Sequence, residues 1–149
     1  MSKKRRKKLP GTKRLSFPPD ENIHPWLALL LDAYTVMDKG IDQAITREQE
    51  KGKKLACSRG CSHCCKTHKD IPVYPLELVG ISWYVTEKIS GNEREILLNN
   101  LNNHSENSSC PFLVSDTCSI HPMRPIACRQ FNVFGRICDN GEDPYHTRR

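Results

Sequence analysis

The sequence predicts a mainly α protein, a small helical domain with an irregular cysteine-rich region organised by metal. Three observations lead there. Apolar residues recur at helical spacing in three stretches, all eight cysteines lie beyond residue 56 of a 149-residue chain, and only 37% of the residues are hydrophobic. With a mean hydropathy of -0.61, that leaves a modest core in one domain. The length excludes a barrel or doubly wound enzyme of ordinary size.

Residues 1–22 read as a basic, disordered arm, and residues 23–149 as a single cysteine-cluster domain. Lys3, Lys4, Arg5, Arg6, Lys7, Lys8, Lys13 and Arg14 account for the net charge of +6, because the rest of the chain carries 15 basic against 17 acidic residues. The folded part therefore lacks the positive bias of a nucleic-acid-binding domain, and any such contact is confined to the arm. Leu9 is followed by Pro10 and Gly11 instead of an apolar run, which argues against a secretory signal. The most apolar stretch, 26–37, is too short for a membrane span and carries Asp32 in its middle. A cytoplasmic protein is expected. Thiols stay reduced in that compartment, so metal ligation explains eight cysteines better than a disulfide framework does.

Within the arm, Phe17-Pro18-Pro19-Asp20 predicts an extended or turn segment, since proline restricts the residue before it. Pro25 can open a helix. From there Trp26, Leu30, Ala33, Tyr34, Met37, Ile41, Ala44 and Ile45 mark one face of a long helix reaching about Lys51, with Gly40 as a candidate bend. Ile71 to Tyr74 should be extended. Pro75 opens a second helix with Leu78, Ile81, Val85 and Ile89 on one face, and Gly91 is expected to end it as a C-terminal cap. Asn92 and Glu95 resemble a helix-starting box, which places a third helix over 93–104 with Ile96, Leu97 and Leu101 inward. A polar linker, 102–109, follows. With Pro111, Pro122 and Pro125, the stretch beyond it reads as loops and turns.

Cys57, Cys61 and Cys64 are spaced by three and then two residues, so a loop around Gly60 can wrap their thiolates about one metal or one corner of a cluster. Arg59, Lys66 and Lys69 supply positive charge that lowers thiol pKa. Adjacent side chains diverge in most backbone conformations, so Cys64 and Cys65 are expected to face different centres. Cys110, Cys118, Cys128 and Cys138 are too widely spaced for a zinc ribbon and are expected to donate to a shared centre. Eight ligands suit two four-thiolate sites. Arg124 and Arg129 are candidates for hydrogen bonds to thiolate sulfur or a bound anion. His63 and His68 flank the first group as ligands, donors to sulfur or solvated residues, whereas His24, His104 and His146 lack ligand spacing.

CxxxCxxCC, then Cys-Pro-Phe-Leu, Cys-Ser-Ile-His and Arg-Pro-Ile-Ala-Cys-Arg, over about 57–129, resembles the YkgJ-type cysteine-cluster family, also described as a zinc- or iron-chelating domain. The resemblance implies metal-liganding roles for Cys57, Cys61, Cys64, Cys65, Cys110, Cys118 and Cys128, with Cys138 outside the common core. His121 stands where the family usually has an aromatic residue, as an imidazole ligand or a polar substitute. An iron–sulfur cluster is favoured over zinc, because the doublet and wide spacings suit a multinuclear centre. In addition, a relative, flagellin lysine-N-methylase, holds a cluster on a similar motif.

That relative is a much longer chain, so enzyme chemistry does not transfer with the motif. The CxxxCxxC string also resembles radical-S-adenosylmethionine enzymes, but the chain lacks the strand–helix units of their barrel. Three functions remain: a metal-binding protein with a redox or electron-transfer role, a cluster-dependent modifying enzyme acting with a protein partner, and a structural zinc module whose basic arm binds nucleic acid. No Ser-His-Asp order, phosphate loop or carboxylate pair stands out.

Overall fold

A computed structural model describes residues 13–148, so Lys3, Lys4, Arg5, Arg6, Lys7 and Lys8 of the basic arm lie outside the described residues. The chain is mainly α. Its helices are α1 (Pro18–Ile23), α2 (Pro25–Glu50), α3 (His63–Thr67), α4 (Pro75–Glu87), α5 (Gly91–Asn102), α6 (Ile126–Gln130) and α7 (Pro144–Thr147). Between α5 and α6 come the strands β1 (Leu113–Val114) and β2 (Thr117–Cys118), and a 3₁₀ turn at His121–Met123. Among the described residues no helix is long and apolar enough to cross a membrane.

Prolines open α1, α2, α4 and α7, where the missing N–H is no loss and the fixed φ suits a first turn. At α1 this corrects the expected extended or turn segment. Phe17 is the anchor: its ring packs edge-on against Trp83 at 5.1 Å, and its N–H donates to Glu21 Oε1 at 2.7 Å. Arg14 then straps α1 to α2, reaching Glu21 Oε2 at 2.9 Å and Asp32 Oδ1 at 2.6 Å.

α2 runs nearly as read, but its buried residues are Leu27, Leu30, Leu31 and Tyr34, while Ala33 and Ala44 of the expected stripe are exposed. Beyond Tyr34 the helix leaves the core, and Met37, Ile41 and Ile45 are only half-buried. Trp83 and Met123 complete that core. A second cluster holds Ile81, Val85, Ile89, Leu97, Val114 and Ile120. α4 lies between the two, and fully burying each of these aliphatic side chains stabilises the fold by about 2 kcal/mol. Gly80 lets α4 approach α2 closely, since a Cβ there would collide with Leu30 Cδ2 and lie 3.1 Å from Met123 Cε.

Two expectations at helix ends change. α4 stops at Glu87, and Gly91, expected to cap it, begins α5 instead with a φ of 62°. The loop after α5 contains a hairpin that pairs Leu113 with Cys118 and Val114 with Thr117. Its two turn residues, Ser115 and Asp116, both have positive φ, 50° and 57°, as a two-residue turn between twisted strands requires.

Candidate metal centre

Gly60 has a φ of 84°, and the Cys61 N–H returns to the Ser58 carbonyl at 3.0 Å, so the chain doubles back between its first two thiols. α3 follows and carries Cys64 and Cys65 on one turn. Successive helical residues are rotated by only about 100°, less than on a strand. The Cys65 thiol donates to the Cys64 sulfur, which favours ionisation of Cys64 and opposes that of Cys65. On this helical turn the two sulfurs therefore feel each other.

Backbone pairing draws the distant segments in. The Cys110 N–H donates to the Cys65 carbonyl at 2.7 Å, joining the second cysteine region to α3. Ala56 N–H reaches the Val133 carbonyl and Gly135 N–H the Lys54 carbonyl, both at 2.7 Å, flanking an antiparallel bridge between Leu55 and Phe134. Within this ladder the Val133 N–H donates to Cys57 Sγ at 3.3 Å.

All eight cysteines are free thiols; Cys61 is exposed and the others are half-buried. Burial, together with the charges of Cys64, Cys110 and Cys118, pushes Cys128 up to about 12. Burial also raises Cys110 and Cys118, whose sulfurs each accept an N–H from two residues on, Phe112 and Ile120, which offsets part of the rise. Cys65 feels Cys64, Cys118 and Cys110. Five thiols are thus linked through Cys64, Cys110 and Cys118: those three, Cys65 and Cys128. A second neighbourhood holds Cys57, Cys61 and Cys138. Burial raises Cys138, and the charges of Cys57 and Cys61 add to the rise. Cys57, raised by burial and relieved by the Val133 N–H, also feels Cys61 and Cys64, so Cys64 links the two groups.

Among the described residues no three His, Cys, Asp or Glu side chains converge as a finished metal cage. The donor set nevertheless fits a thiophilic metal: soft sulfurs gathered from both halves of the chain, with backbone N–H groups already directed at three of them. Arg124 adds to the fit. Its charge favours the ionised forms of Cys57, Cys118 and Cys128, and its buried Nε has no hydrogen-bond partner.

Arg129 faces elsewhere. Its Nη1 reaches Asp38 Oδ2 at 2.8 Å, its Nε donates to the Arg124 carbonyl at 2.8 Å, and its Nη2 donates to the Pro122 carbonyl. The guanidinium carbon stands 3.9 Å from the centre of the Tyr34 ring. Arg129 therefore clamps the 3₁₀ turn and α6 onto α2. His121 Nε2 lies 2.6 Å from Arg124 Nη1, in a groove of about 400 Å³ shared with Tyr34, Asp38 and Ile41. His68 rests edge-on against Phe131 at 4.3 Å, with Nε2 3.0 Å from Asp143 Oδ1. It packs the end of α3 against Phe131 beside the C-terminal segment.

Two carboxylates that the sequence reading passed over organise the surroundings. Glu77, 2% exposed, accepts from Tyr74 N–H at 3.0 Å and from Ile126 N–H at 2.7 Å, so it caps α4 and the helix that carries Cys128. Its place three residues after Tyr74, behind Pro75, was the available signal. Glu142 accepts from Arg148, from Asp139 N–H at 2.8 Å and from Thr147, which holds it far below the usual carboxylate range and shapes the loop around Cys138.

No curated protein and no solved structure matches this chain. A family profile does. Residues 56–145 match it, a span that takes in both thiol neighbourhoods, Arg124 and the Cys138 loop. On that match and the cysteine pattern it contains, the chain belongs to the CxxCxxCC family, described as a zinc- or iron-chelating domain.

Proposed function

We propose that this protein holds an iron–sulfur cluster through its thiolates and serves in electron transfer in the cytoplasm. The observation that carries this reading is the five-thiol neighbourhood of Cys64, Cys65, Cys110, Cys118 and Cys128. Mononuclear structural zinc takes four ligands, so five thiols beside a further three favour a multinuclear centre. Cys57, Cys61 and Cys138 would supply the second set of ligands. A bound cluster supplies one-electron exchange. The chain's own groups would hold it: Phe112, Ile120 and Val133 N–H spread charge from the sulfurs, and Arg124 offsets the surplus negative charge. Cys65 would surrender its proton on binding, making loading weaker at low pH.

Anaerobic purification tests the reading through iron and acid-labile sulfide content and visible absorption. Iron with matching sulfide is expected, lost largely on Cys128→Ser and only in part on Cys138→Ser. Colourless, sulfide-free protein carrying zinc would overturn the cluster and leave thiolate chelation standing. Equal loss in the two variants would overturn the division into two ligand sets.

A further inference from the structure

The core face of α2 is accounted for, but a second apolar face on the same helix is not. Between residues 26 and 37 the only charge is Asp32, and a helix apolar on nearly all sides is normally covered on all sides. Here one side meets α4 through Leu27, Leu30, Leu31 and Tyr34. On another side Leu29 is 66% exposed and Val36 70% exposed. Ala33 and Gly40 complete that exposed row, and its spacing of four, three and four residues is that of a helix-pairing seam.

We infer that this row, Leu29, Ala33, Val36 and Gly40, is the seam of a two-fold dimer in which α2 of one chain lies antiparallel to α2 of a second copy. Three features of the row make it complementary to itself. When Ala33 is set against Val36 of the second copy, Leu29 meets Gly40, so each layer pairs a large residue with a small one. A two-fold axis repeats both pairings. In the same register Asp32, which borders the row, comes beside Lys39 of the second copy, and the axis makes that opposite-charge pair twice. Asp32 already accepts from Arg14 through Oδ1, yet its side chain is 63% exposed and can take a second cation. Finally, nothing within 4 Å would meet a Cβ at Gly40, which leaves open space there for a facing leucine.

A seam of two heptads is small, so association should be reversible and concentration-dependent. Sedimentation equilibrium of the metal-loaded full chain should give a mass rising from 17.1 kDa toward twice that value with concentration. Gly40→Leu should hold the mass at one chain, although leucine is the better helix former and its Cβ meets nothing in its own chain. Val36→Glu should do the same, with metal content and helicity unchanged in both variants. Asp32→Lys alone and Lys39→Asp alone should each be monomeric, while their equimolar mixture regains the double mass. That last result belongs to an antiparallel pair alone. A single-chain mass at every concentration overturns the proposal, as does a dimer indifferent to Gly40→Leu and Val36→Glu, or a mixture of the two charge variants that stays monomeric. A complex formed only with a different protein overturns it too.

Discussion

Seven of the eight thiols sit on two stretches of chain that are held in by different means. Residues 110–130 are sewn into the apolar core: Val114 and Ile120 join the cluster below α4, Met123 joins the one against α2, and Arg129 is buried under Tyr34. Residues 55–65 have little such hold, since Ser62 alone is buried there. That stretch is attached through backbone pairing with 133–135, through Cys110 N–H, and through the Cys57 sulfur. One group of thiols is thus placed by the apolar core, and the other is held mainly by backbone pairing.

This contrast can be broken most severely from the well-packed side. Arg129→Ala leaves Asp38 and two carbonyls without their donor and should cost about 3 kcal/mol in urea unfolding, with both stretches melting together. Loss of structure confined to 110–130 would show that the core does not hold that stretch. Removing metal under reducing conditions should act on the other side. Hydrogen exchange should speed up across 55–65 and 133–140 while α2 and α4 keep their protection. Uniform exchange throughout would erase the distinction. A smaller effect is expected at Gly80→Ala, where the added methyl presses on Leu30 and Met123 and should lower stability by about 1–2 kcal/mol without changing metal content. Least of all should follow from Lys66→Ala. The exposed Lys66–Asp116 pair, 2.6 Å across, links α3 to the hairpin, and its removal should leave both the urea midpoint and the metal content where they were. A clear drop would mean that surface charge joins the two stretches.

Much of the helical frame was legible in the sequence because its signals are local. Pro25 and Pro75 mark the starts of α2 and α4, and the three-four spacing of Leu30, Tyr34, Ile81 and Val85 gives their inner faces. The errors fell where a distant contact decides the outcome. α1 forms on a Pro-Pro segment because Phe17 finds Trp83, and the hairpin turns through Ser115 and Asp116 without the glycine or asparagine that usually announces such a turn. Gly91 was visible as a special backbone position, but its φ serves the start of a helix and not the end of one. At the site, the cysteine pattern was readable as spacing. The partition of its members was not, because Cys138 meets Cys57 and Cys61 only through the ladder between 54–57 and 133–135. Arg129 was expected near sulfur and is occupied instead by Asp38, 91 residues away in sequence.

The hairpin at Leu113–Cys118 also sets an order in time. Its two strands are joined by two residues, and such hairpins close on the order of microseconds, bringing Cys110 and Cys118 toward each other before most of the chain has found its place. The bond from Val133 to the Cys57 sulfur must close a loop of 76 residues, and the entropy lost in closing a long loop delays such contacts. In a refolding chain Cys110 and Cys118 therefore come together early, and the contact that joins the Cys57 loop to residues 133–135 closes late.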